Sequence, residues 1–224
     1  DTDKEEFGLQ VARQLEAKID ELGADNVAAF IAEPIQGAGG VIVPPASYWP
    51  EIQRICNDKG ILLVCDEVIC GFGRTGEWFA STYYGVTPDL ITFAKGVTNG
   101  YQPLGGVLVS DRVASVLKSG GGEFTHGFTY SGHPASCAAA IATIKALRDE
   151  KIIDNVKNET GEYLQQRWNE LADHPIVGET RGVGFVAALE LVKNKNSRER
   201  YDEDCTAGAA CRDACVANGL VMRA

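Results

Sequence analysis

Four short apolar runs constrain this chain more than any other feature: Val27-Ala-Ala-Phe-Ile-Ala32, Ile61-Leu-Leu-Val-Cys65, Leu90-Ile-Thr-Phe-Ala94 and Gly105-Gly-Val-Leu-Val-Ser110. Each reads as a strand buried on both faces. Helical patterns lie between them. In residues 3–22, Phe7, Val11, Leu15, Ile19 and Leu22 recur at steps of three and four, and Gly23 stops the helix. A second helix is expected after Pro45, carrying Trp49, Ile52 and Ile55 as far as Gly60. Doubly buried strands separated by helices predict an α/β fold, a parallel sheet covered by helices on either side.

Three of these runs end on a charged residue: Glu33, Asp66 and Lys95. Parallel strands deliver their carboxyl ends to one rim, which is where open α/β sheets bind ligands. From Ser131 the pattern changes. An alanine-rich helix is expected over 134–147, a second helix over 150–172, two short strands around Arg181-Gly-Val-Gly184, and a last helix over 205–218. Gly219-Leu-Val-Met-Arg-Ala224 reads as the beginning of a strand. The expected division is therefore 1–157 as part of a large domain with its linking helix, and 158–224 as the opening of a smaller α+β domain. The absence of an initiator methionine and the strand-like last residues suggest part of a longer protein.

Charge and cysteine content narrow the function classes. Acidic residues outnumber basic ones 31 to 21, and the chain carries a formal charge of −10. A nucleic-acid binder needs a basic patch, and none is seen. No apolar run approaches the ~20 residues of a membrane helix. Neither nucleic acid nor a membrane is therefore an expected partner. The seven cysteines have no repeated spacing, which fits an intracellular, cytoplasmic protein and not a disulfide framework. Cys211 and Cys215 sit one helical turn apart, but no CxxC and no nearby histidine completes a metal set.

One motif misleads. Gly71-Phe-Gly73-Arg-Thr-Gly76 matches GxGxxG letter for letter. A dinucleotide fingerprint opens a helix directly after its strand and has an acid at the end of the next strand. Here five residues intervene, and the candidate acid, Asp89, precedes the next strand. These glycines read as a tight loop.

Lys95 and Asp66 carry more. A lysine ending a buried strand is unusual, because its charge must be desolvated unless something uses it. Alone, Lys95 reads as a rim lysine reaching for solvent and Asp66 as a helix cap, a salt-bridge partner or a cofactor ligand; together they read as a simple ion pair. A lysine that loses its charge can form a Schiff base, and an aspartate facing a ring nitrogen keeps that nitrogen protonated. Those are two parts that pyridoxal phosphate needs from its protein. Phe128-Thr-Tyr-Ser131-Gly132, leading into a helix near Pro134, offers hydroxyls and free N–H groups at a helix start, which suit an anion or merely cap the helix.

The runs Ala32-Glu-Pro-Ile-Gln-Gly37, Cys65-Asp-Glu-Val-Ile-Cys-Gly-Phe-Gly-Arg-Thr-Gly76, Phe93-Ala-Lys-Gly96 and Gly127-Phe-Thr-Tyr-Ser-Gly-His-Pro134 occur in this order. Together they resemble the class III pyridoxal-phosphate aminotransferases, and among these the ω-transaminases that use pyruvate as amino acceptor. The resemblance implies a fold type I enzyme that binds pyridoxal 5'-phosphate, an amine donor, and pyruvate or another keto acid, and that assembles as a homodimer or a dimer of dimers. It implies that Lys95 is the Schiff-base lysine and the proton carrier. Asp66 would pair with the pyridine nitrogen, and Val68 would pack against the ring. Thr129, with the backbone at Phe128, would bind the phosphate of the neighbouring subunit's cofactor. Arg223 would bind a substrate carboxylate and swing away for an amine that lacks one. Glu33 would stand behind these residues.

There are departures from the family pattern. Many members carry Gln three positions after the aspartate, where this chain has Ile69. The family's own phosphate loop and the tyrosine that stacks on the ring would precede residue 1. The alternatives are a diamine (putrescine-type) transaminase, a decarboxylase or mutase on the same scaffold, and, from another class, a catalytically silent assembly fragment.

Overall fold

The computed structural model describes residues 3–120, 122–202 and 204–224. Helix α1 (Lys4–Leu22) begins at Asp3, whose carboxylate accepts the N–H groups of Glu5 and Glu6 at 3.0 and 3.1 Å, and ends at Gly23 with φ 81°. It packs on α2 (Tyr48–Lys59). Gly8 permits the close approach, since a Cβ there would lie 2.6 Å from Ser47 Oγ. Ala12, Ile19, Trp49, Ile52 and Ile55 form the buried seam between the two helices.

Strands β1 (Ala29–Ala32), β2 (Leu62–Asp66), β3 (Leu90–Phe93) and β4 (Gly106–Val109) form one sheet in that order. β1, β2 and β3 are parallel, as expected. β4 is not: it returns antiparallel to β3. The reason lies in the connection. A parallel neighbour needs a crossover, usually helical, whereas residues 94–105 contain only a single 3₁₀ turn, Lys95–Val97. The short helix α3 (Ala80–Tyr83) leads toward β3, and α4 (Asp111–Ser119), absent from the sequence expectation, follows β4.

Helices cover only one face of this sheet. Leu63 and Cys65 are buried in the same cluster as Ile52 and Ile55. The opposite face carries Ile31, Val64, Asp66, Thr92, Val107 and Val109, and Ile31 remains 60% exposed and Val107 51%. The expected covering of both faces is therefore not seen among the described residues, and the uncovered face is the one that presents Asp66.

Helix α5 (Pro134–Asp149) is followed by α6 (Ile152–Asn155), a π turn over Val156–Thr160, and α7 (Gly161–Glu170). One uniform helix over 150–172 was expected. The widened turn instead sets Gly161 so close to Gly184 that a Cβ at 161 would lie 3.2 Å from the Gly184 Cα. Strands β5 (Val177–Val183) and β6 (Val186–Asn194) form the expected hairpin, to which β7 (Glu199–Arg200) adds an edge. Val186 joins the main core cluster. Helix α8 (Ala207–Ala217) follows, and residues 220–224, where a strand start was expected, pair with no strand among the described residues. No helix among the described residues is long and apolar enough to cross a membrane.

Candidate active site

The register of the parallel strands assembles the rim. Ala32 pairs with Cys65, so Glu33 and Asp66 leave the sheet side by side, and Asp66 pairs with Thr92 on the way to Lys95. Asp66 is half-buried, and its Oδ1 accepts the Val68 N–H at 3.1 Å. That local bond fixes the carboxylate and places the half-buried Val68 directly behind it. Glu33 turns the other way: its Oε2 accepts the Gly37 N–H at 2.9 Å and so holds the loop that follows β1. Ile69 packs against that loop, where a Cβ on Gly37 would lie 2.9 Å from its side chain.

Lys95 opens the 3₁₀ turn with φ 44°, a left-handed backbone unusual for a residue with a side chain. Such a conformation costs about 1–3 kcal/mol and persists only where the surroundings over-determine it. Here Val97 and Thr98 are buried just after it, and Thr98 Oγ1 donates to Gln102 O at 2.5 Å. Lys95 itself is exposed. Among the described residues neither Lys95 nor Asp66 takes part in an ion pair, so the simple ion-pair reading has no support in the geometry.

Two residues of this region were not assigned work by sequence reasoning. Glu67 is fully buried, and its carboxylate accepts the N–H groups of Ala80 and Ser81 at 2.9 and 2.6 Å. Burial pushes its carboxyl pKa up, partly opposed by those two N–H groups. It thereby closes the loop after Asp66. The signal was an acidic residue inside an otherwise apolar stretch. The glycines at 71–76 form turns within that loop and open no helix. Asp89 accepts the Leu63 N–H at 2.9 Å and pairs with Arg112 at 3.1 Å, the work of a structural fastener.

Arg181 is the second. Its Nε donates to Gly40 O at 2.9 Å, and its guanidinium pairs with Glu190 and Glu179 at 2.9 and 3.0 Å. It ties the β5–β6 hairpin to the loop that starts at Glu33. The same loop, from Gly37 to Val41, lines a cavity of about 640 Å³ with Arg181, Glu190, Tyr201 and Arg223. The structure thus connects the Asp66 rim to the Arg223 cavity through one short segment.

Phe128 and Thr129 are exposed, Phe128 by 79%. The Phe128 N–H donates to Ser131 Oγ and the Ser131 N–H returns to Phe128 O, both at 2.9 Å, so the turn is self-contained. No hydrogen bond joins it to Asp66 or Lys95 among the described residues. No group of histidine, cysteine or acidic side chains suited to a metal ion occurs among them either.

An α/β sheet that brings a carboxylate and an unneutralised lysine to one rim has the two side chains pyridoxal-phosphate enzymes use on their cofactor. The chain belongs to the class-III aminotransferases, a family that matches residues 2–223. It is 63% identical over 224 residues to the putrescine–pyruvate aminotransferase of Pseudomonas aeruginosa, covering 100% of this chain and 49% of that protein. An (S)-enantioselective ω-transaminase from Thermomicrobium roseum superposes with a TM-score of 0.93 at 46% identity, over 98% of this chain and 49% of that one. An amine transaminase from an uncultivated Pseudomonas species, solved in its PLP-bound form, gives 0.93 at 42% identity, over 99% and 50%. The chain spans about half the length of the relatives it matches. The family is pyridoxal-phosphate dependent and of fold type I.

Proposed function

We propose that the full-length protein transfers an amino group from an amine or ω-amino acid to pyruvate, with Lys95 carrying pyridoxal 5'-phosphate. The observation that supports this most is the strand-end pair: Asp66 and Lys95 share one rim, and neither is neutralised by a described residue. These groups fit the cofactor in kind, a fixed carboxylate for a ring nitrogen and a free amine for a carbonyl. When bound, the cofactor supplies an electron sink for charge developing on the substrate carbon.

Asp66, held by the Val68 N–H, would supply a fixed negative charge for the ring nitrogen, and Val68 would pack against the ring. Lys95 Nζ would carry the proton that leaves the substrate carbon, a general acid–base role. Arg223 binds the carboxylate of pyruvate at the end of the cavity lined by the Gly37–Val41 loop. Glu33 keeps that loop in place. The exposed Phe128–Thr129 turn reaches a partner subunit's cofactor phosphate, which makes the working unit a homodimer. Buried free Cys56, Cys65 and Cys70 suit the reducing cytoplasm.

A diamine donor is the second reading, and the 63% identity to a putrescine–pyruvate enzyme favours it. Borohydride reduction of the cofactor-loaded protein followed by peptide mapping should place the pyridoxyl group on Lys95. Finding it on Lys59 or Lys118 overturns the assignment. Incubation with pyruvate and a panel of amines that includes putrescine should yield alanine; no alanine from any of them overturns the activity.

A further inference from the structure

We infer that Thr92 is a positioning residue for the Asp66 carboxylate, a role that rests on the assignment of Asp66 above. The two residues are register partners across the parallel β2–β3 ladder, so their side chains leave the same face of the sheet. That face is otherwise apolar within the strands: Ile31 on β1, Leu62 and Val64 on β2, Leu90 on β3, Val107 and Val109 on β4. Among the described residues, Asp66 and Thr92 are the polar side chains that the strands place on it.

Thr92 Oγ1 is buried and has no hydrogen-bond partner among the described residues. A buried hydroxyl left unpaired is costly, so such groups are nearly always satisfied in a working protein. Its backbone cannot move to find a partner, because the Glu67 N–H donates to Thr92 O at 2.9 Å and locks the strand end. Rotation about χ1 between staggered wells remains open to it. Adjacent strands are about 4.8 Å apart, so a change of rotamer brings a hydroxyl within reach of its register partner's carboxylate.

The acceptor has room for it. Among the described residues, Asp66 accepts only the Val68 N–H, on Oδ1, whereas a carboxylate offers about four lone-pair sites. The Thr92 hydroxyl holds the carboxylate from the sheet side and the Val68 N–H holds it from the loop side. Between them they would fix its orientation while leaving other lone pairs free for the ring nitrogen.

The test is cofactor loss from the loaded full-length protein, followed by absorbance on dilution, for Thr92→Val, Thr92→Ser and Asp66→Asn, singly and combined. Thr92→Val keeps shape and removes the hydroxyl; it should release pyridoxal phosphate about tenfold faster, the scale of one hydrogen bond to a charged group. Thr92→Ser should stay within about twofold of the parent. In the Asp66→Asn background, Thr92→Val should add nothing, the signature of two groups acting through one contact. Unchanged release by Thr92→Val, loss by Thr92→Ser equal to that of Thr92→Val, or the same factor in both backgrounds overturns the inference. Unchanged release by Asp66→Asn alone instead overturns the Asp66 assignment beneath it.

Discussion

Arg181 Nε donates to Gly40 O at 2.9 Å, so a side chain on β5 holds the loop that leaves the sheet at Glu33. Because that loop also lines the cavity of Arg223, the bond joins the Glu33 strand end to the part of the site proposed above to bind pyruvate. Removing it should disturb binding more than chemistry.

For Arg181→Ala, the KM for pyruvate should rise about tenfold while kcat changes little, since under the proposed function the lost contact orders the wall beside Arg223 and not Lys95 or Asp66. Steady-state kinetics at fixed donor will tell. Equal losses in kcat and kcat/KM would mean that the loop shapes the transition state itself.

Asp66→Asn preserves shape and removes the charge. The cofactor should still attach, but turnover should fall by ~10²-fold or more, within the range of acid–base contributions. Single-turnover absorbance changes will show whether proton transfer has become the slow step. Near-normal turnover would make Asp66 a structural residue only.

Glu67 gives a prediction about pH and stability. Burial raises its carboxyl pKa in the folded state above the ordinary 4.5. The folded state therefore holds its proton more tightly than the unfolded state, and the associated stability is present below about pH 4.5 and declines as pH rises through the folded pKa. Glu67→Gln should lower stability by about 1–3 kcal/mol, because one amide oxygen must replace two carboxylate oxygens that accept from Ala80 and Ser81. It should also flatten the decline that begins above the ordinary carboxyl pKa of 4.5. Urea unfolding at several pH values measures both, and an unchanged slope would show that Glu67 does not titrate there.

Thr129→Ala should weaken cofactor retention and subunit association together, because whatever binds only the dimer also stabilises it. Sedimentation with and without pyridoxal phosphate is the measurement. A monomer with full cofactor and full activity would show that Thr129 serves no neighbour.

Much of this was legible in the sequence, for reasons that differ by residue. The strand ends at Glu33, Asp66 and Lys95 stood out because charge directly after a buried run is rare, and parallel pairing then fixed their common rim. The direction of β4 was not legible from the run itself, because an apolar run looks the same in either orientation; only the missing crossover helix between β3 and β4 marks it. Glu67 and Arg181 escaped notice because their partners are backbone groups and carboxylates distant in sequence: Arg181 and Gly40 meet only when the hairpin folds back. The π turn at Val156–Thr160 accompanies the close approach of Gly161 to Gly184, a three-dimensional relationship with no periodic signal.

The left-handed backbone at Lys95 bears on how its proposed role should be tested. Alanine there would retain the unfavourable φ of 44° while deleting the amine, which confuses a conformational defect with a chemical one. Glycine accepts that backbone readily. Lys95→Gly would therefore leave the turn through Val97 and Thr98 relaxed and an amine-sized gap at the rim. Small soluble amines of graded basicity could then be supplied from the buffer to stand in for the missing side chain, and the dependence of the recovered rate on their basicity would report how far the proton has moved at the transition state.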